Sequence, residues 1–262
     1  MSGRMPVALT VAGSDPSGGA GIQADLKTFH QFGVYGEAVI ATVTVQNTVS
    51  VERVESLSPE LVTRQIRAVL DDIPPAAAKT GALGSVEIVR AVAALARQFT
   101  FPLVVDPVMV STHGAFLLAE NARLVLRDEL LPLATLVTPN LQEAAALSGL
   151  AVSDVDSMRR AAERIAAAGA RAVLVKGGHL AGTPVDILFS GGQWFQFTAE
   201  RVNTRHTHGT GCAYSAAITA GLALGWELPE AIRRARLWIT EAIRTSPGLG
   251  SGTGPINHFA PV

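Results

Sequence analysis

Short runs rich in Val, Ile and Leu recur along this chain, separated by stretches with helical spacing, and no other feature limits the fold as strongly. Strands are predicted over Val7–Val11, Ala38–Val45, Ala76–Thr80, Leu103–Asp106, Thr135–Thr138 and Ala172–Lys176. Helices are predicted over Gln23–Phe32 and Pro59–Leu70, the second with proline at its start and apolar residues at Leu61, Val62, Ile66, Val69 and Leu70. Such alternation builds βαβ units, whose parallel strands are covered by helices on both faces. A chain that is 48% hydrophobic and 16% charged, with mean hydropathy +0.31, has the apolar surface that a covered sheet requires.

The order changes after Lys176. Val185–Phe189, Ser190-Gly191-Gly192-Gln193 and Trp194–Phe197 read as an antiparallel hairpin at a sheet edge, since Gly-Gly supplies the positive φ angles of a tight turn. Helices are predicted over Gly211–Leu224 and Pro229–Thr245, and Gly248–Gly254 is expected to be irregular. No repeat, linker or low-complexity stretch interrupts the 262 residues, so a single α/β domain over 1–262 is expected.

The net charge is −1 with pI near 6.6, and no Lys/Arg run stands out. Neither nucleic acid nor an anionic membrane finds an electrostatic footprint here, which leaves a small-molecule partner. No apolar run approaches the ~20 residues of a membrane span, and Met1–Pro6 lacks the apolar region of a signal peptide. The lone Cys212 cannot form an internal disulfide, so a reducing, cytoplasmic setting is expected.

Several motifs fall at predicted strand ends. His206-Thr207-His208-Gly209-Thr210-Gly211-Cys212 runs into an Ala-rich helical stretch. Backbone N–H groups in such a turn, with a helix dipole behind them, suit a phosphate or a transferring phosphoryl group and favour a thiolate at Cys212. A small buried apolar role is the other reading of that cysteine. Gly13–Gly21 matches neither a Walker A loop nor a GxGxxG fingerprint; it allows close approach by a ligand or simply makes a tight turn. Asp25 follows on the first helix, and Gln46 ends the next strand, where its amide can pair with an aminopyrimidine or merely cap. Asp106-Pro107 and Thr138-Pro139-Asn140 with Glu143 put oxygen donors suited to Mg²⁺ at two strand ends, although both are also ordinary strand exits. Lys176-Gly177-Gly178 can neutralise a phosphate, and the six histidines show no metal-ligand spacing.

Taken together, Ala12–Asp15, Gly18–Lys27, Gln46-Asn47-Thr48, Lys79-Thr80-Gly81, Val105–Met109, Val137–Asn140, Lys176–His179 and Thr207–Cys212 resemble hydroxymethylpyrimidine and phosphomethylpyrimidine kinases of thiamine biosynthesis, of the ribokinase-like superfamily. The resemblance runs in order from about residue 7 to 258. It implies a three-layer α/β/α homodimer that uses ATP and Mg²⁺ to phosphorylate 4-amino-5-hydroxymethyl-2-methylpyrimidine, first to the monophosphate and then to the diphosphate. By position, Gly13, Asp25 and Gln46 would hold the pyrimidine. Asp106, Asn140, Lys176 and Thr207 would serve the nucleotide, with Asp106 and Glu143 toward the metal. Gly209, Thr210 and Gly211 would form the anion hole, with Cys212 as proton acceptor. Three departures from the family pattern stand out: Ala82 where methionine is common, Ser111–Phe116 where a lysine and Ser-Gly-Asp are common, and Ala213 in place of threonine. A pyridoxal or pyridoxine kinase of the same superfamily is the alternative.

Overall fold

The computed structural model describes residues 5–111, 114–119 and 121–262; Thr112 and His113 of the departing segment lie outside them. The chain begins β1 (Val7–Ser14), α1 (Gly21–Gln31), β2 (Tyr35–Gln46), β3 (Val51–Ser56) and α2 (Pro59–Asp72). It continues through β4 (Ala77–Thr80), α3 (Val86–Ala96), β5 (Leu103–Val105) and α4 (Ala122–Val125), which passes into a π-helical turn at Leu126–Leu130 and a 3₁₀ turn at Leu131–Leu133. Then come β6 (Leu136–Val137), α5 (Leu141–Ser148), α6 (Val155–Ala167) and β7 (Ala172–Val175). Last are β8 (Val185–Ser190), β9 (Gln193–Thr198), α7 (Thr210–Ala223) and α8 (Leu228–Arg244).

All nine strands form one sheet in the order β3-β2-β1-β4-β5-β6-β7-β8-β9. Neighbours from β2 to β7 pair in parallel, whereas β3, β8 and β9 run antiparallel to theirs. Leu9 and Val11 of β1 face a core shared with α2, α3, α5 and α6, while Ala8 faces the core shared with α1, α7 and α8. Two-residue side-chain alternation thus supplies both faces of the middle layer, giving the expected three-layer α/β/α sandwich.

Local chemistry sets the helix starts. Ser58 caps α2 through Leu61 N–H, Ser85 caps α3 through Ile88 N–H, and Asn140 and Asp154 open α5 and α6 with capping boxes. The expected hairpin is β8–β9, turning on Gly191 (φ 57°) and Gly192 (φ 77°) at the sheet edge. The pattern assigned nothing to 51–56, yet Val-Glu-Arg-Val-Glu-Ser forms β3. This edge strand pairs with the outer half of β2 and leaves its charged residues exposed, so it lacks the apolar signature of a core strand.

Glu37 on β2 is buried, and its Oε2 has no hydrogen-bond partner among the described residues. Burial, with the Asp72 carboxylate adding to it, pushes its carboxyl up to about 7. A folded-state value above the unfolded one means stability is full at pH values below the ordinary glutamate range and declines as pH rises toward 7. Glu37→Gln is expected to stabilise the protein at pH 8 by about 2 kcal/mol and to flatten that decline, as read by urea denaturation at pH 5 and pH 8.

Candidate active site

The C-terminal ends of β1, β4, β5, β6 and β7 open toward the start of α7, the place where an open parallel sheet forms its ligand crevice. At the first of these ends Gly13 lies against Thr42, and a Cβ there would collide with the threonine hydroxyl. The following loop folds around one buried carboxylate. Asp15 accepts hydrogen bonds from Ser17 N–H and Oγ, Gly19 N–H and Ala20 N–H, and its Oδ2 meets His208 Nε2 at 2.8 Å. Burial alone would raise the Asp15 carboxyl, but His208 and Ser17 outweigh it and hold it below the usual carboxylate range.

His208 belongs to the turn that opens α7, 193 residues further on. Gly209 there is left-handed (φ 74°), and a side chain at that position would overlap the Gly19 carbonyl. Thr210 closes the turn by donating its N–H and Oγ to the Thr207 carbonyl. No side chain caps α7. The amides of Gly211 and Cys212, early in the helix, therefore have no acceptor within it and carry the positive end of its dipole.

Cys212 is half-buried as a residue. Desolvation pushes the thiol up to about 12, with the Asp25 and Asp106 carboxylates adding to the rise and Lys79 and the Gly21 N–H opposing it. The expected thiolate is thus corrected: burial outweighs the helix dipole, and the resting group is a neutral thiol.

Beside this turn Lys176 Nζ pairs with Asp106 Oδ1 at 2.9 Å, and a Cβ on Gly211 would lie 3.4 Å from that ammonium. Asp106 also accepts from Thr138 Oγ at 3.2 Å and, through Oδ2, from Ser215 Oγ of α7 at 3.1 Å. Burial works against the Lys176 charge, but Asp106 and Glu143 outweigh it and raise its pKa. Asn140 Oδ1 accepts from Glu143 N–H at 2.9 Å and Glu143 Oε2 accepts from Asn140 N–H at 2.8 Å, so both residues cap α5 as well as lining the crevice. Desolvation raises Glu143 to about 7, against the pull of Lys176. A cavity of about 200 Å³ opens beside these two residues, walled in part by Met109, Phe116 and Leu118.

Gly13, Asp106, Asn140, Glu143, Lys176 and Gly209–Cys212 therefore converge on one crevice, whereas Asp25, Gln46 and Thr207 are placed differently. Asp25 is fully enclosed, bonded to Lys79 and Thr10. Gln46 is half-buried at the tip of β2, beyond the last β1–β2 pair, and Thr207 is exposed. Asp15, His208, Lys79, Ser215 and Asp186 were given no role from sequence. Asp186, wholly buried on β8, accepts Gly177 N–H at 2.9 Å and Tyr214 Oη–H at 3.1 Å and pairs with Arg236 at 3.4 Å, fixing the turn that carries Lys176. A charged residue inside an apolar strand pattern, as at Lys79 and Asp186, was the available signal.

A family model described as phosphomethylpyrimidine kinase matches residues 15–257. The hydroxymethylpyrimidine/phosphomethylpyrimidine kinase of Streptomyces coelicolor is 49% identical over 253 residues, covering 97% of this chain and 94% of that protein. Bacillus subtilis pyridoxal kinase, solved as an ADP complex, superposes with TM-score 0.92 at 40% identity over 98% of both chains. Phosphomethylpyrimidine kinase from Clostridium difficile gives TM-score 0.81 at 44% identity, covering 91% of this chain and 99% of that one. The matched span holds the Asp15 loop, the acid-tipped strands and the uncapped start of α7, and on that ground the chain belongs to the phosphomethylpyrimidine kinase family of phosphotransferases.

Proposed function

We propose that this protein transfers the γ-phosphoryl group of ATP to the hydroxymethyl group of 4-amino-5-hydroxymethyl-2-methylpyrimidine and then phosphorylates the monophosphate, as a cytoplasmic homodimer. The observation that carries this reading is the uncapped start of α7 beside the Lys176–Asp106 pair, which supports anion binding where a phosphoryl group transfers. In this reading Lys176 neutralises nucleotide phosphate, and the amides of Gly211 and Cys212, in the turn set by Gly209 and Thr210, stabilise charge on the transferring group. Gly13, Asp25 and Gln46 orient the pyrimidine, and Thr207 borders the nucleotide. Asp106 and Glu143 offer carboxylate oxygens and Asn140 an amide oxygen, the hard donors that Mg²⁺ takes. Among the described residues no group of three or more His, Cys, Asp or Glu can hold a metal alone, which fits an ion that keeps waters and shares phosphate oxygens. When bound, Mg²⁺ neutralises phosphate charge.

Cys212 takes the proton from the substrate hydroxyl in this scheme. With its thiol at about 12, the active thiolate fraction grows about tenfold per pH unit below that value. Wild-type kcat is expected to climb from pH 6 to pH 9. Cys212→Ala is expected to lower kcat by about 10²- to 10⁴-fold, to flatten that climb and to leave the KM for ATP within about threefold. A pH-independent wild-type kcat removes Cys212 from this role.

The likeness to a solved pyridoxal kinase and the small Ala82 beside Gly13 favour one second reading, a pyridoxal-type substrate. Mass spectrometry of products formed from ATP with the pyrimidine is expected to show mono- and diphosphate. A kcat/KM about tenfold higher for the pyrimidine than for pyridoxal is expected, and the reverse ranking selects the second reading. For the homodimer, the outward strip of Val43, Val45 and Val49 on the β2–β3 ribbon is exposed and apolar. Light scattering is expected to give twice the 27.3 kDa chain mass, and Val45→Asp to give the single-chain mass.

A further inference from the structure

Lys79 stands in the middle of the sheet with no exposed surface, and nothing in the scheme above uses it. An ammonium ion buried in this way is tolerated only beside a compensating charge. That charge is Asp25 on α1, also wholly buried, whose Oδ2 accepts from Lys79 Nζ at 2.8 Å and from Thr10 Oγ at 2.7 Å. The other oxygen, Oδ1, is buried and has no hydrogen-bond partner among the described residues. A buried carboxylate oxygen with nothing donating to it is unfavourable, which points to a donor that arrives with a ligand.

The surroundings place this pair at the crevice. Lys79 precedes Thr80-Gly81 at the end of β4, and a Cβ on Gly81 would lie 3.8 Å from its ammonium. Asp106 from the end of β5 acts electrostatically on both partners, and both act on Cys212 of α7. Burial pushes the Asp25 carboxyl up while Lys79 and Thr10 pull it down. Burial also works against the Lys79 charge, which Asp25 and its neighbours restore and raise. Geometry selects the ion pair: Oδ2 already receives two donors, and a proton on Oδ1 would have no acceptor.

We propose that Lys79 is a positioning residue for the pyrimidine: its ammonium keeps Asp25 a carboxylate with Oδ2 engaged, leaving Oδ1 to accept a hydrogen bond from an amino or hydroxyl group of the substrate. This rests on the assignment of Asp25 to the pyrimidine site. Lys79 touches no substrate itself and acts through Asp25. A purely structural Lys79 would affect both substrates alike and at every pH.

The test is steady-state kinetics of the purified enzyme with ATP and 4-amino-5-hydroxymethyl-2-methylpyrimidine from pH 6 to pH 10. Lys79→Gln is expected to raise the pyrimidine KM at least tenfold at pH 7 and to move the acid limb of kcat/KM for the pyrimidine upward by at least one pH unit. The KM for ATP stays within threefold, and Lys79→Arg returns the limb toward its wild-type position. Asp25→Asn is expected to raise the pyrimidine KM at all pH values, and adding Lys79→Met to it should change that KM by less than twofold. If Asp25→Asn keeps the wild-type KM, the assignment of Asp25 fails. If Asp25→Asn raises KM but Lys79→Gln shifts neither KM nor the limb, or if Lys79→Met adds a further tenfold, the role of Lys79 is overturned while Asp25 stands. Should Lys79→Gln not fold, ¹³C NMR of the Asp25 carboxyl in the wild-type protein, assigned against Asp25→Asn, decides the matter: an ionised signal at pH 7 supports the proposal and a protonated one overturns it.

Discussion

The contact between Asp15 and His208 joins the two ends of the chain at the point where the chemistry is assembled. One carboxylate gathers amides from the loop after β1 and, through the imidazole at 2.8 Å, fixes the turn that starts α7. Other side chains brace each segment only from within: Gln23 and Lys27 hold the glycine-rich loop and the Thr210 hydroxyl holds the α7 turn, whereas the Asp15–His208 contact ties the two together. Short glycine segments lose much conformational freedom on ordering. The irregular tail reinforces the same junction: the Gly254 carbonyl accepts from His208 N–H, and Thr253 N–H donates to the Thr48 carbonyl on the β2–β3 turn. Elements far apart in sequence thus lock around one buried acid.

Around that junction the site holds its charges in pairs. Asp25 with Lys79 and Asp106 with Lys176 each set an acid against a base, at 2.8 and 2.9 Å. Buried ion pairs contribute little to stability once desolvation is counted, so their presence in one crevice speaks more to function than to folding. The arrangement also explains the protonated Cys212. A sulfur hemmed in by two carboxylates and packed protein has more to lose by ionising than a dipole and one ammonium return.

Much of this was legible in the chain. The apolar runs that became β1, β4 and β7 carry the signature of strands buried on both faces, the β-branched run of β2 that of a strand with one face buried, and Gly191-Gly192 specified its hairpin turn. Less visible were β3, whose charged residues face outward, and the helices α3, α5 and α6, for which the sequence carried no expectation. In the site, the glycine turn and the strand-end acids stood out because each is a local pattern. Asp15 with His208 and Asp25 with Lys79 did not, because each pair is made by tertiary folding across 193 and 54 residues. The protonation of Cys212 was equally hidden, since desolvation depends on what packs against the sulfur rather than on its neighbours in sequence.

The overlap that any side chain at Gly209 would make with the Gly19 carbonyl ties the positions of the two loops together. Neither loop can drift by itself: Gly19 is held by Asp15 through its amide, so it cannot retreat to make room, and a bulkier residue at 209 has no local remedy. A substitution that enlarges either glycine therefore has to be answered on the other loop. The seam itself behaves as a single mechanical unit, although its halves lie far apart in the sequence.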